Sequence, residues 1–150
     1  MDELDLQIIK LLQEDSRISY NKLASRLGVS VGTVYNRIKC LEEKGVLRGY
    51  TAIVDPVKVG YGITAIILVQ AEGAHLVEVE NEIAKIDNVI TVYDITGDFD
   101  IAVIARFKDR FEMNHFVKRL LSLPHVKRTV TNVVLNIVKE DFRVKISDNL

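Results

Sequence analysis

Hydrophobic positions fall at helical spacing through the first third of the chain and in short continuous or alternating runs after it. Leu4, Ile8, Leu11 and Leu12 form a stripe that predicts a first helix, with Asp2 placed to cap it. Leu23, Ala24 and Leu27 stripe a second helix, capped by Ser19 and ended by Gly28, because glycine enters the left-handed C-terminal conformation without a Cβ penalty. Ser30 caps a third helix, striped by Val34, Ile38 and Leu41 and closed by Gly45. Val46 to Val54 reads as a short β-rich stretch that Asp55-Pro56 breaks, so a boundary is expected near residues 48–60.

Beyond that boundary the pattern is strand, helix, strand, twice over. Ile63 to Gln70 predicts a strand, Leu76, Val79, Ile83 and Ile86 stripe a helix, and Val89 to Thr96 predicts a second strand. A turn at Gly97 to Asp100 leads into a strand over Ile101 to Phe107. Asp109 and Glu112 have the spacing of a capping box for a helix carrying Phe116, Leu120 and Leu121, which Pro124 stops, and Val126 to Val138 closes the sheet. The segments IAKIDNVITVYDITG and LLSLPHVKRTVTNVV are weakly alike. This is the split βαβ arrangement, an antiparallel sheet with both helices on one face.

Such a sheet is expected to be apolar toward its helices and polar toward water. Here Ile66 and Leu68 alternate with Ala65 and Ile67, and Ile104 alternates with Val103 and Ala105, so both faces are apolar. The helix-free face therefore needs a cover, and a second subunit supplies one economically.

Charge sharpens the picture of the first third. The chain carries 20 Lys and Arg against 21 Asp and Glu, a formal net charge of −1. Yet Ser16 to Leu41 holds Arg17, Lys22, Arg26, Arg37 and Lys39 without one acid. A cationic island on short helices joined by a glycine turn suits a surface that meets phosphates, although a charge run by itself is usually only a solvated face. On a helix-turn-helix reading, Lys22, Arg26, Arg37 and Lys39 attract phosphates, Ser30, Val31, Thr33 and Asn36 are candidates for base edges, and Gly32 lets the backbone approach closely.

Other signals are weak. Gly60-Tyr61-Gly62 precedes a strand instead of joining strand to helix, so it is no dinucleotide fingerprint. His75, His115 and His125 are scattered near helix ends without ligand spacing and read as caps or surface residues; no metal site is expected. The single cysteine, Cys40, excludes an intrachain disulfide, and the longest apolar run, Ile63 to Val69, is far short of a membrane span. The start lacks a basic segment followed by an apolar run, so a cytoplasmic location is expected. Gly97-Asp98-Phe99-Asp100 reads as a tight hairpin, or as a carboxylate pair for Mg²⁺ or acid–base chemistry with Asp94 nearby; no nucleophile or phosphate loop supports the second.

The start MDELDLQII, then EDSRIS, LASRLGVS, NRIKCLEEKGVLRGY and the GDFDIAV of Gly97 to Val103 resemble the leucine-responsive and asparagine-responsive regulators, also called feast/famine regulatory proteins. The similarity covers nearly the whole chain in order and spacing, and implies a prokaryotic protein, with an archaeal source favoured. It implies an α+β fold: a three-helix, winged-helix-like helix-turn-helix head over residues 1–50, a β-rich linker over 51–60 and a ferredoxin-like βαββαβ domain over 61–150 for effector sensing and oligomerisation. It also implies a third role for the GDFD turn, lining an effector pocket between subunits. Thr96, Gly97, Asp98, Phe99, Asp100 and Ile101 are then the candidate effector residues, with Thr129, Thr131 and Val133 of the last strand beside them.

The expected function is a DNA-binding transcriptional regulator modulated by an amino acid or related metabolite, with no enzymatic activity, no cofactor and no membrane association. Its expected partners are double-stranded DNA and copies of itself, as homodimers that close into an octamer. The readings set against it are a metabolite-binding oligomeric module without DNA binding, and a metal-dependent enzyme using the GDFD aspartates.

Overall fold

A computed structural model describes residues 1–147. The chain divides into two compact units, one built from Met1–Ile53 together with the segment from Glu140 onward, the other from Val54–Lys139. The sequence reading placed everything after residue 61 in the second domain. The final segment instead joins the first unit, where Ile146 packs against its core and Gln13 grips Val144 through both backbone groups, at 2.9 and 2.7 Å.

The first unit is a bundle of α1 (Glu3–Glu14), α2 (Tyr20–Leu27) and α3 (Val31–Glu43). Asp2 and Asp5 form a reciprocal capping box at the start of α1. The Ser19 and Ser30 hydroxyls accept from Lys22 N and Thr33 N, each at 3.1 Å, and so cap α2 and α3. Gly28, at φ +66°, turns the chain between those two helices. Ile8, Leu12, Leu23, Val34, Ile38 and Leu41 fill the shared core.

The β-rich stretch expected after Gly45 is not a strand. Residues 46–62 have no ladder partner; Val46 and Leu47 hand their N–H groups to Leu41 O, and residues 56–60 form turns. Apolar β-formers alone do not make a strand where no neighbouring strand offers pairing.

The second unit contains β1 (Ile63–Ala71), a 3₁₀ turn at Gly73–His75, α4 (Leu76–Ala84), β2 (Val89–Asp94), β3 (Ile101–Phe107), α5 (Arg110–Ser122) and β4 (Val126–Val133). The strands form an antiparallel sheet in the order β2-β3-β1-β4, the ferredoxin-like arrangement. Ala65, Ile67, Val69, Val103, Ala105 and Phe107 point to one face and bury against Val79 and Ile83 of α4 and Met113, Phe116 and Leu120 of α5. Ile66 pairs with Ile104, and Leu68 with Ala102, on the opposite face. Ile66 there stays 40% exposed.

Three expectations are corrected in detail. β2 ends at Asp94 and β4 at Val133, short of Thr96 and Val138; past the last ladder pairs, Asp94 with Ile101 and Val133 with Ala65, the chain makes one more backbone bond at each end, Ile95 N to Asp100 O and Val134 N to Thr64 O. Leu121 is exposed on α5, since Leu120 takes the inward position next to it. The Asp109 carboxylate accepts from Glu112 N at 2.8 Å, but Glu112 answers to Lys108 N and Asn88 instead of completing the box at Asp109.

Candidate DNA interface and effector loop

The core stripe of α3 fixes where its other residues point. Val34, Ile38 and Leu41 face inward, so Gly32, Asn36 and Lys39 lie on the outer side and all are exposed. Ser30, Val31, Lys22 and Arg26 are exposed as well, and among the described residues no carboxylate pairs with Lys22, Arg26 or Lys39. Thr33 is half-buried, its hydroxyl 2.9 Å from Ser30 Oγ, so these two are occupied in capping one helix end. A Cβ built on Gly32 would meet only Ser30 Oγ, at 3.9 Å, so packing within the chain does not require a glycine there.

Arg37 behaves differently from the other cations. One residue before Ile38 and four before Leu41, it borders the buried stripe and reaches across to α1, where its guanidinium donates to Asp2 at 2.5 Å and Asp5 at 3.2 Å. The Arg37 hydrogen bond, with a further one from Asp5 N–H, pushes the Asp2 carboxyl down to about 2. Sequence reasoning counted Arg37 among the cations open to phosphate; its partners lie more than thirty residues upstream in the chain, outside the acid-free window. Two tyrosines were also missed. Tyr20 and Tyr35 meet edge to face at 6.1 Å and stay 39% and 50% exposed. The signal for Tyr35 was present, because Val31, Tyr35 and Lys39 repeat at i, i+4 along the exposed side.

The GDFD turn is a six-residue loop between Asp94 and Ile101, which pair across β2 and β3. Gly97 sits at φ +109°, a region closed to L side chains. Asp100 is half-buried and committed to the fold: its N–H donates to Val69 O at 3.0 Å, its C=O accepts from Ile95 N, and its carboxylate accepts from Ala71 N at 2.9 Å. That last contact lies where the β1–β4 register shifts between Gln70 and Ala71. Asp98 and Thr96 are exposed, and the Asp98 C=O accepts from the Gln70 side chain at 3.5 Å. The Arg128 guanidinium lies 5.3 Å over the Phe99 ring.

The loop and the last strand meet only in part. Thr129 pairs with Val69 beside the loop, whereas Thr131 and Val133 pair with Ile67 and Ala65 and recede toward the other end of the sheet. Four residues of strand, about 13 Å, separate Val133 from Thr129. Glu80 of α4 was not anticipated. Burial and then the adjacent Asp94 carboxylate push its carboxyl above the usual range, which places an acidic pair at the foot of the loop. Two cavities of this unit, about 530 and 620 Å³, adjoin Glu112 near the opposite end of the sheet, and no GDFD residue lines either.

The histidines are not all scattered. His75 and His125 stack with ring centroids 3.5 Å apart, and His125 Nδ1 lies 3.0 Å from Glu72 Oε2. His115 stays apart and exposed on α5. Only folding of β4 back along β1 brings His75 and His125 together, fifty positions apart in sequence.

This architecture has close counterparts. Residues 1–42 match the AsnC-type helix-turn-helix domain, and residues 64–144 match the Lrp/AsnC ligand binding domain. An HTH-type transcriptional regulator of Pyrococcus abyssi is 52% identical over 145 residues, covering 97% of this chain and 99% of that protein. HTH-type transcriptional regulator FL11 of Pyrococcus horikoshii is 38% identical over 140 residues, 93% of each chain. A Neisseria meningitidis transcriptional regulator, solved in complex with L-Met, superposes with a TM-score of 0.89 at 29% identity over 100% of this chain and 99% of its own. The Mycobacterium tuberculosis feast or famine regulatory protein complexed with L-methionine gives 0.89 at 26% identity, over 97% and 99%. No described helix is long and apolar enough to cross a membrane. A helix-turn-helix unit and a four-stranded ferredoxin-like unit, each matching its own family domain over a chain half identical to an archaeal regulator, show that this chain belongs to the Lrp/AsnC family of transcriptional regulators.

Proposed function

We propose that this regulator grips duplex DNA through α2 and α3 of paired subunits and responds to an amino acid held at the GDFD loop. The observation that carries the DNA reading is the exposed, acid-free surface of Lys22, Arg26, Ser30, Val31, Gly32, Asn36 and Lys39. In this reading Lys22, Arg26 and Lys39 meet phosphates, Asn36 reads a base edge, Val31 and Thr33 present methyl groups, and Gly32 leaves room for the backbone. Arg37 acts from behind, holding α3 against α1. Tyr35 adds a contact to sugar or phosphate through its hydroxyl.

The effector reading rests on the ligand-binding-domain match and on the L-methionine found in two structural neighbours. Here Asp98 and the backbone N–H groups around Gly97 face solvent and suit an ammonium and a carboxylate. Asp100 shapes the loop. Because the loop opens at the sheet's edge, a neighbouring subunit completes the site in dimers or octamers, and the ligand shifts the balance between packings. The protein works as a cytoplasmic regulator without catalytic chemistry.

The test is a mobility-shift titration at several salt concentrations. Lys39→Ala should weaken binding to specific and random duplexes alike and reduce the salt slope by about one unit. Asn36→Ala should cost about 1–3 kcal/mol on the specific site only. Unchanged affinity in both would remove α3 from the interface. For the effector, a thermal-shift series over the proteinogenic amino acids, methionine first, should show a stabilising ligand whose effect Asp98→Ala abolishes.

A further inference from the structure

Glu72, His75 and His125 offer ligand atoms that all lie within 4.8 Å of one another. Glu72 directly follows β1, His75 closes the 3₁₀ turn after it, and His125 directly precedes β4. Backbone hydrogen bonds fix this frame: Glu72 N donates to His125 O at 2.9 Å, and His75 N donates to Glu72 O at 2.9 Å. His125 is also the one non-glycine residue with positive φ among the described residues, at +71°. Such a conformation is uncommon outside glycine, and here it falls on the residue whose ring stacks on His75. A surface hydrogen bond between a histidine and a glutamate needs neither the second imidazole nor a left-handed residue.

We propose that Glu72, His75 and His125 form a binding site for a divalent transition-metal ion, with Zn²⁺ as its best fit. Two neutral imidazoles and one carboxylate carry a single negative charge against the dication, and imidazole nitrogens favour Zn²⁺, Ni²⁺ or Cu²⁺ over Mg²⁺ and Ca²⁺. The two rings are stacked with centroids 3.5 Å apart and planes 7° from parallel. Two imidazole nitrogens on one tetrahedral Zn²⁺ sit about 3.4 Å apart at bond lengths near 2.1 Å, so ion binding opens the stack, each ring swinging by roughly 50° for the lone pairs to converge. Three protein ligands leave one position for water or for a donor from another molecule. Glu78, whose Oε2 lies 3.3 Å from His75 Nδ1, stands where an orienting carboxylate belongs. An ion here would tie the end of β1 to the start of β4, next to the Ala71 N–H that Asp100 holds.

The experiment uses the untagged full-length chain after treatment with chelator. Titrated with Co²⁺ as a spectroscopic probe, it should develop saturable d–d absorption that Zn²⁺ displaces. His75→Ala and His125→Asn should each weaken Co²⁺ binding at least about tenfold, while His115→Ala leaves it unchanged. Asparagine is chosen at position 125 because it tolerates positive φ. In parallel, Zn²⁺ should raise the melting temperature of the wild-type chain and of His115→Ala, and not that of Glu72→Gln or His125→Asn. Absence of Co²⁺ uptake by the wild-type chain overturns the site, and so does equal affinity in folded His75→Ala and His125→Asn proteins. Neither readout depends on DNA or on an amino acid, so loss of the effector reading would leave the outcome untouched.

Discussion

At the scale of single residues, Arg37 ties α3 to α1 by donating to Asp2 and Asp5, while Ser19 and Ser30 cap α2 and α3. Ser19, Ser30 and Gly28 act on groups within four positions of themselves, so spacing alone gives their roles. Arg37 depends on Asp2 and Asp5 of another helix, which no local window contains. The pairing has a pH consequence. Asp2 titrates at about 2 in the folded chain, below the roughly 3.9 of a free aspartate. A depressed carboxyl stabilises the fold above the unfolded value and loses that contribution as pH falls through the folded one. Between about pH 4 and pH 2 the stability of the head should therefore fall more steeply in the wild-type chain than in Arg37→Met. Urea denaturation at stepped pH, followed by circular dichroism, measures both slopes, and parallel slopes would show that Arg37 does not sense Asp2. Because the pair is solvent-exposed, added salt should shrink the difference.

Elements were read well where a pattern had a partner in the fold and poorly where it lacked one. β3 falls on Ile101 to Phe107 as expected, because its alternation is satisfied on both sides by β1 and β2. Residues 46–54 have comparable β propensity and no neighbouring strand, so they join no ladder, and Val46 and Leu47 bond back to Leu41 O instead. Turn chemistry makes its own forecast at Gly28. A Cβ there meets nothing within 4 Å, so Gly28→Ala costs only the left-handed backbone, about 1–2 kcal/mol, read as a lower denaturation midpoint for the head. The two loop aspartates should separate in the same assay. Asp100→Ala leaves the buried Ala71 N–H without its partner and should destabilise the sheet unit by about 1–3 kcal/mol. Asp98→Ala, at an exposed side chain, should change stability by less than about 0.5 kcal/mol. A mild phenotype for Asp100→Ala would mean that water replaces its carboxylate.

At the scale of the whole molecule, the sequence raised a question that register answers. Apolar residues at both odd and even positions of β1 and β3 showed that each sheet face is hydrophobic, yet nothing local told which set met the helices. The pairing of Ile67 with Val103 and of Val69 with Ile101 puts the odd set against α4 and α5. Ile66, Leu68, Ala102 and Ile104 are left on the helix-free face, and Thr91 and Tyr93 of β2 share it through their pairing with Ile104 and Ala102. Tyr93 is 55% exposed and Ile66 40%, whereas Ala65, Ile67, Val69, Val103 and Ala105 on the other face are fully buried. A contiguous apolar face of this kind marks an association surface. We expect the purified chain to sediment as a dimer or a higher assembly at micromolar concentration, through this face. Ile66→Glu should then shift it toward monomer, because an unpaired carboxylate buried between two sheets costs several kcal/mol. The substitution spares the chain's own core, since Ile66 lies outside it, so the variant should stay folded by circular dichroism. Operator affinity should fall with it, as two heads held together bind far more tightly than one. Ile67→Glu on the opposite face is the contrasting case: it should unfold the sheet unit outright. A wild-type chain that sediments as a monomer, or an Ile66→Glu chain that assembles as wild type does, would move the subunit contact to another surface.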